Sequence, residues 1–279
     1  MKKLALALAA TAALAGQAMA ADMPMKAARP VAAPVPVANW TGCYIGGGWG
    51  YGLYDIESQQ LNRSPVTGAV TVAGARLDQG GRGWLAGGGG GCDYQFGIGS
   101  GGGIFGTGQF VIGILADYYW SDMRGQFTGD GTGLVGLVSG QEKVDSQWAV
   151  GGRFGWLVNP NTLTYVSGGY TEAHRTGVGN YIDRFGVATG VSLPGSTRQG
   201  WFIGSGIEYN MGWLPGLTWK TEYRYSEYDS VDNFERVIAT GALTNNFSRD
   251  KLITQTVLTS LVWRFNWGGV GKSPVVAKY

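Results

Sequence analysis

From Trp40 onward, large apolar and aromatic residues recur at every second position, and no stretch sustains a helical period. Eight such segments are legible, at about 40–56, 82–96, 108–122, 143–158, 162–174, 197–211, 217–229 and 250–265. Clusters of Gly, Asn, Pro and Asp separate them, as turns require. Most run longer than the five or six residues of an ordinary strand, and they suit the ~9–11 residues of a tilted membrane strand.

The two faces of each segment differ in a telling way. In the fourth, Trp148, Val150, Phe154, Trp156 and Val158 oppose Gln147, Ala149, Gly151, Arg153 and Leu157. In the sixth, Trp201, Ile203, Ile207 and Tyr209 oppose Phe202, Gly204, Gly206 and Glu208. In the seventh, Leu217, Trp219, Tyr223 and Tyr225 oppose Thr218, Lys220, Glu222 and Arg224. Val257, Thr259, Leu261, Trp263 and Phe265 share one face of the last. Greasy rings on one face with glycine and charge on the other invert the needs of a soluble sandwich, and they match a barrel that turns its aromatics to lipid.

Connection lengths alternate too. Residues 158–161 and 211–216 are tight turns, 97–107 is a Gly-rich link, and 57–81, 123–142, 175–196 and 230–249 read as loops of about twenty residues. The expectation is an all-β, eight-stranded, antiparallel up-and-down transmembrane β-barrel over 40–265. At this strand number side chains fill the interior.

Composition agrees. Fifty glycines in 279 residues, with 14% charged, exclude a disordered chain, and the absence of a three-residue period excludes collagen. The runs Gly46–Gly48 and Gly87–Gly91 leave room for bulky neighbours inside a narrow barrel. Lys2 and Lys3, the apolar run Leu4–Leu14 and Ala18-Met19-Ala20 predict a cleaved signal peptide over 1–20. An Ala/Pro-rich linker follows over 21–39, and a C-terminal periplasmic tail over 266–279. Without Lys2 and Lys3 the chain has 19 basic and 19 acidic residues, so no basic face points to nucleic acid. No later stretch is apolar for long enough to form a spanning helix.

Few residues invite chemistry. Gly97-Ile98-Gly99-Ser100-Gly101-Gly102 and Gly271-Lys272-Ser273 resemble nucleotide-binding loops, but no helix follows either of them. His174, the single histidine, shares a face with Glu172, whereas Ser167 lies on the opposite face by parity. The chain is therefore not expected to be an enzyme, nor to hold a metal or cofactor. Cys43 and Cys92 fall at adjoining, short-turn ends of the first hairpin, and in an exported chain they are expected to form a disulfide. Asp93, Asp117, Arg153, Glu208, Lys220, Glu222, Arg224 and Arg264 can all point inward by parity. Buried charges must pair, so these predict a lumen charge network, which would either seal the interior or line a narrow solute path.

Trp40-Thr41-Gly42-Cys43-Tyr44-Ile45-Gly46-Gly47, Gly91-Cys92-Asp93-Tyr94-Gln95, Ile207-Glu208-Tyr209, Glu222-Tyr223-Arg224-Tyr225 and the ending from Leu261 to Gly269 carry a resemblance. Together they resemble the outer-membrane immunogenic proteins of alphaproteobacteria, a small-porin family with an OmpA-like barrel. The resemblance implies residence in the Gram-negative outer membrane, with long loops extracellular and both termini periplasmic. It also implies surface exposure, antigenicity and folding by the barrel-assembly machinery. Trp263 and Phe265 resemble the aromatic-x-aromatic assembly signal of a last strand, with Ser260 where that signal usually has Gly. The leading functional expectation is a structural and surface-antigen role, with outer-membrane lipid and lipopolysaccharide as partners. A small porin is the alternative; an adhesin or a lipid-modifying barrel using His174 and Glu172 follows behind. Oligomeric state is not legible.

Overall fold

The computed structural model describes residues 39–97, 107–131 and 136–265, and among these every regular element is a strand. The signal peptide, all of the linker but Asn39, the tail, Ile98–Gly102 and Gly271-Lys272-Ser273 lie outside the described residues. Eight long strands make the wall: β1 (Gly42–Arg63), β2 (Val70–Gly97), β3 (Gln109–Gly131), β4 (Gly136–Asn159), β5 (Thr162–Thr176), β8 (Ser196–Asn210), β9 (Leu217–Tyr228) and β11 (Leu243–Phe265). The short β6 (Ile182–Asp183), β7 (Val191–Ser192) and β10 (Val231–Val237) sit at the loop end. Each wall strand pairs antiparallel with the next, and β11 pairs with β1, so the eight-stranded wall closes on itself.

Register fixes the shape. Partners run from Cys43 to Cys92, Ile114, Gly152, Gly168, Ile203, Tyr225 and Gln255, and return to β1 at Leu53, ten residues further along the same strand. A shear of this size on eight strands tilts them by about 40°.

The exterior separates into bands. Tyr94, Phe96, Phe110 and Phe154 stack in a chain at the short-turn end, where Tyr209, Trp219, Trp263 and Phe265 are also exposed. At the other end the pairs Tyr51–Trp84, Tyr118–Trp120, Trp148–Tyr170 and Trp201–Tyr225 form a second girdle. Between the girdles the exposed residues are aliphatic, among them Ile45, Ile114, Val150, Val166, Ile203 and Leu261. The span of β4 from Trp148 to Val158 measures ~34 Å along the strand and ~25 Å along the axis, the height of a membrane barrel's apolar belt.

The loop end differs from the sequence expectation. Residues 57–81 and 123–142 are not long loops, because β1 and β2 stay paired up to Arg63–Val70, and β3 and β4 up to Gly131–Gly136. Residues 230–249 likewise fold into the β10–β11 pair. Above the outer girdle the wall faces water on its outer side, so the outward residues turn polar and the alternation that marks the lower strands fades. The ladder persists because inward residues such as Ile56, Met123, Val144 and Leu252 remain fully buried.

Candidate functional site

Among the described residues the wall encloses a lumen, and inward parity fills it in storeys. At the short-turn end Arg153 donates through Nε to Asp93 Oδ1 at 2.8 Å and through Nη1 to Glu208 Oε2 at 3.1 Å, and its Nη2 also meets Asp93. Arg264 donates to Glu208 Oε1 from Nε and Nη2, at 3.0 and 2.7 Å, and from Nη1 to Asp93 Oδ2 at 2.7 Å. Two cations thus balance two anions brought from four strands. Rings cover the pair: Tyr44 lies 4.5 Å from the Arg153 guanidinium and Trp40 lies 4.7 Å from that of Arg264.

A second storey follows higher in the lumen. Arg224 grips Asp117 with two parallel bonds of 2.9 and 2.7 Å and donates from Nε to Glu222 Oε1 at 3.0 Å. Tyr165 donates to Glu222 at 2.8 Å, Lys220 Nζ stands 3.6 Å from the same carboxylate, and Phe202 lies under Arg224. All eight residues expected in the lumen therefore face it and group into two clusters of four. Beside Lys220 a cavity of about 20 Å³, lined also by Tyr44, Asp117, Tyr119 and Ser260, has space for one water molecule.

Above these clusters an apolar plug closes the tube. Tyr54, Leu85, Tyr119, Met123, Val144, Tyr228, Leu252 and Leu258 form one buried cluster across the lumen. Beyond it lies a third charged storey that sequence reading missed. Arg175 donates to Glu142 at 2.7 Å, and Arg198 donates to the carbonyl of Asp250 at 2.6 Å and to its carboxylate at 3.3 Å. Ser58, Asn233 and Ser248 also donate to Asp250. These groups lie above the outer girdle. Burial and the adjacent Arg175 lower the Arg198 guanidinium to about 10, and burial raises the Glu142 carboxyl. Parity carried past 174 on β5 would have placed Arg175 inside, whereas Glu142 lies beyond an irregularity at Val144–Ser146 that reverses the alternation of β4.

The remaining candidates fall on or near the outer wall. Cys43 and Cys92 are direct register partners and are joined by a disulfide. Trp263 and Phe265 face outward in the lower girdle, opposite Ile45 and Cys43. Glu172 accepts from the Trp148 indole and the Tyr170 hydroxyl, and His174 Nδ1 lies 2.7 Å from Asp145. Ser167 faces the lumen and bonds Glu222, so the wall separates it from His174 and Glu172. Those three side chains do not assemble into a nucleophile and its base.

No family model matches this chain, and neither does any curated protein. Solved structures similar to it include Ail, the attachment invasion locus protein of Yersinia pestis, at 13% identity and a TM-score of 0.29, with 78% of this chain and 99% of that one covered. The outer membrane protease OmpT from Escherichia coli is similar at 10% identity and a TM-score of 0.41, over 80% of this chain and 97% of that one. The outer membrane protein OprG from Pseudomonas aeruginosa is similar at 11% identity and a TM-score of 0.40, over 82% and 98%.

Proposed function

We propose that this chain is a closed outer-membrane barrel that serves the Gram-negative envelope as a structural element and displays its loop end as a surface antigen. The observation that carries this reading is the lumen. Along the described strands its inward positions carry paired ions, apolar side chains, small polar residues and glycines, and the cavity beside Lys220 holds about 20 Å³. That packing favours a sealed body over a solute path, because moving an ion through it would require breaking buried ion pairs. The apolar belt between two aromatic girdles supports residence in a bilayer, and closure supports survival of the backbone there. The short-turn end, with the start of β1 and the end of β11, faces the periplasm, and the extended strands face outward. Trp263 and Phe265 are offered to the assembly machinery, and lipopolysaccharide surrounds the outer half.

The test is purification from outer membranes, with gel mobility that changes on heating, followed by planar-bilayer recording. The expected result is a heat-modifiable protein without discrete conductance steps. Steady single-channel openings would replace this reading with that of a small porin.

A further inference from the structure

We propose that the outer wall carries a site for a phosphomonoester on a membrane lipid, formed by Arg82, Arg124 and Lys143. The inference rests on the outer-membrane reading above and deepens it by naming where and what the barrel grips.

Three observations combine. Arg82 and Arg124 are direct register partners on β2 and β3, and Arg124 and Lys143 are direct partners on β3 and β4. Directly opposed residues on one face place their Cβ atoms ~5 Å apart, and like charges so placed oppose strand pairing. The wall therefore sets three cations side by side at a cost to itself. Compensation within the protein is incomplete. Asp122 accepts from Arg124 Nε at 2.9 Å and lies 2.8 Å from Lys143 Nζ, while Arg82 is exposed and has no hydrogen-bond or ion-pair partner among the described residues. Asp122 is shared by Arg124 and Lys143, and Asp55, diagonal to Arg82 on β1, makes no ion pair with it, so the row keeps an excess of positive charge that an anion can compensate.

Position selects the source of that anion. Trp84, 65% exposed, lies two residues below Arg82 on β2, and Trp120, 66% exposed, lies below Asp122 on β3; both belong to the outer girdle. Indoles at this level mark the boundary between acyl chains and headgroups. A phosphate on a lipid whose chains lie along the apolar belt arrives at the height of the guanidinium groups. A phosphomonoester carries about −1.5 to −2 at neutral pH and offers three acceptor oxygens. Planar guanidinium forks bind such groups with paired hydrogen bonds, and the lysine adds a point charge.

The full chain, refolded in vesicles of phosphatidylcholine containing a minor fraction of phosphatidic acid, is extracted and examined by native mass spectrometry. Wild type is expected to retain phosphatidic acid over phosphatidylcholine by about tenfold, from two charge-assisted contacts. The double variant Arg82→Gln/Arg124→Gln should keep its heat-modifiable mobility and lose the preference. Arg249→Gln/Lys251→Gln, elsewhere on the rim, should keep it. An unchanged preference in the first variant, or an equal loss in the second, overturns the site. Full competition by millimolar inorganic phosphate overturns the lipid source. A wild-type chain that never becomes heat-modifiable overturns the barrel reading, and the site with it.

Discussion

Arg264 and Glu208 share two hydrogen bonds, at 3.0 and 2.7 Å, although their strands β11 and β8 are separated by β9. The same carboxylate group also receives Arg153 from β4 and the hydroxyl of Thr218 at 2.6 Å. One fully buried glutamate therefore ties four strands across the lumen.

Removing that charge leaves two buried guanidinium groups under-compensated. Glu208→Gln keeps the shape and is expected to cost about 3–5 kcal/mol, the range for breaking a buried pair from one side. The temperature at which folded mobility is lost on a gel should fall sharply. An unchanged temperature would show that the floor network contributes little to holding the barrel.

Glycines on the two sides of the wall should respond unequally to a methyl group. A Cβ on Gly48 would lie 2.0 Å from the backbone oxygen of Thr259, whereas a Cβ on lipid-facing Gly152 meets nothing closer than 3.6 Å. Gly48→Ala is expected to destabilise by about 1–3 kcal/mol through overpacking, with Gly152→Ala near neutral. Urea midpoints in detergent measure both.

The Cys43–Cys92 bond spans 49 residues of sequence. A loop of that size corresponds to roughly 4 kcal/mol in the chain-entropy account. Protein alkylated without reductant should show no added mass, and reduction should lower the unfolding midpoint. Two alkylated thiols in unreduced protein would dismiss the bond.

Acid should act on the third storey through Glu142. Burial raises its carboxyl in the folded barrel, so the folded state takes up this proton more readily than the unfolded chain. Its contribution to stability is then full below the ordinary glutamate range near pH ~4 and is lost as pH rises through the folded value. Wild type is expected to lose stability over that interval relative to Glu142→Gln, whose profile should be flatter. Denaturant midpoints across weakly acid pH test the sign, and parallel profiles would contradict it.

Period-two alternation alone determined the strand count, the inward and outward faces and the eight charges of the two lower storeys. Where lipid covers the wall, outward positions such as Ile203 and Trp219 must be apolar, and inward ones such as Glu208 and Arg224 need only find partners. That contrast is written residue by residue. It disappears above the outer girdle, where water wets the outer surface and both faces can be polar. Residues 57–81 and 123–142 therefore read as loops, and Glu142 and Arg175 fall just outside the segments legible as strands, whereas Arg198 and Asp250 lie within 197–211 and 250–265 with inward parity and are legible there. Only the closed ring decided which charges meet. Arg153 reaches Asp93 and Glu208, and Arg82 stands beside Arg124, through a register that accumulates strand by strand around the barrel. Local alternation sets which way each side chain points, but the shear of the whole cylinder sets its height and so its neighbour.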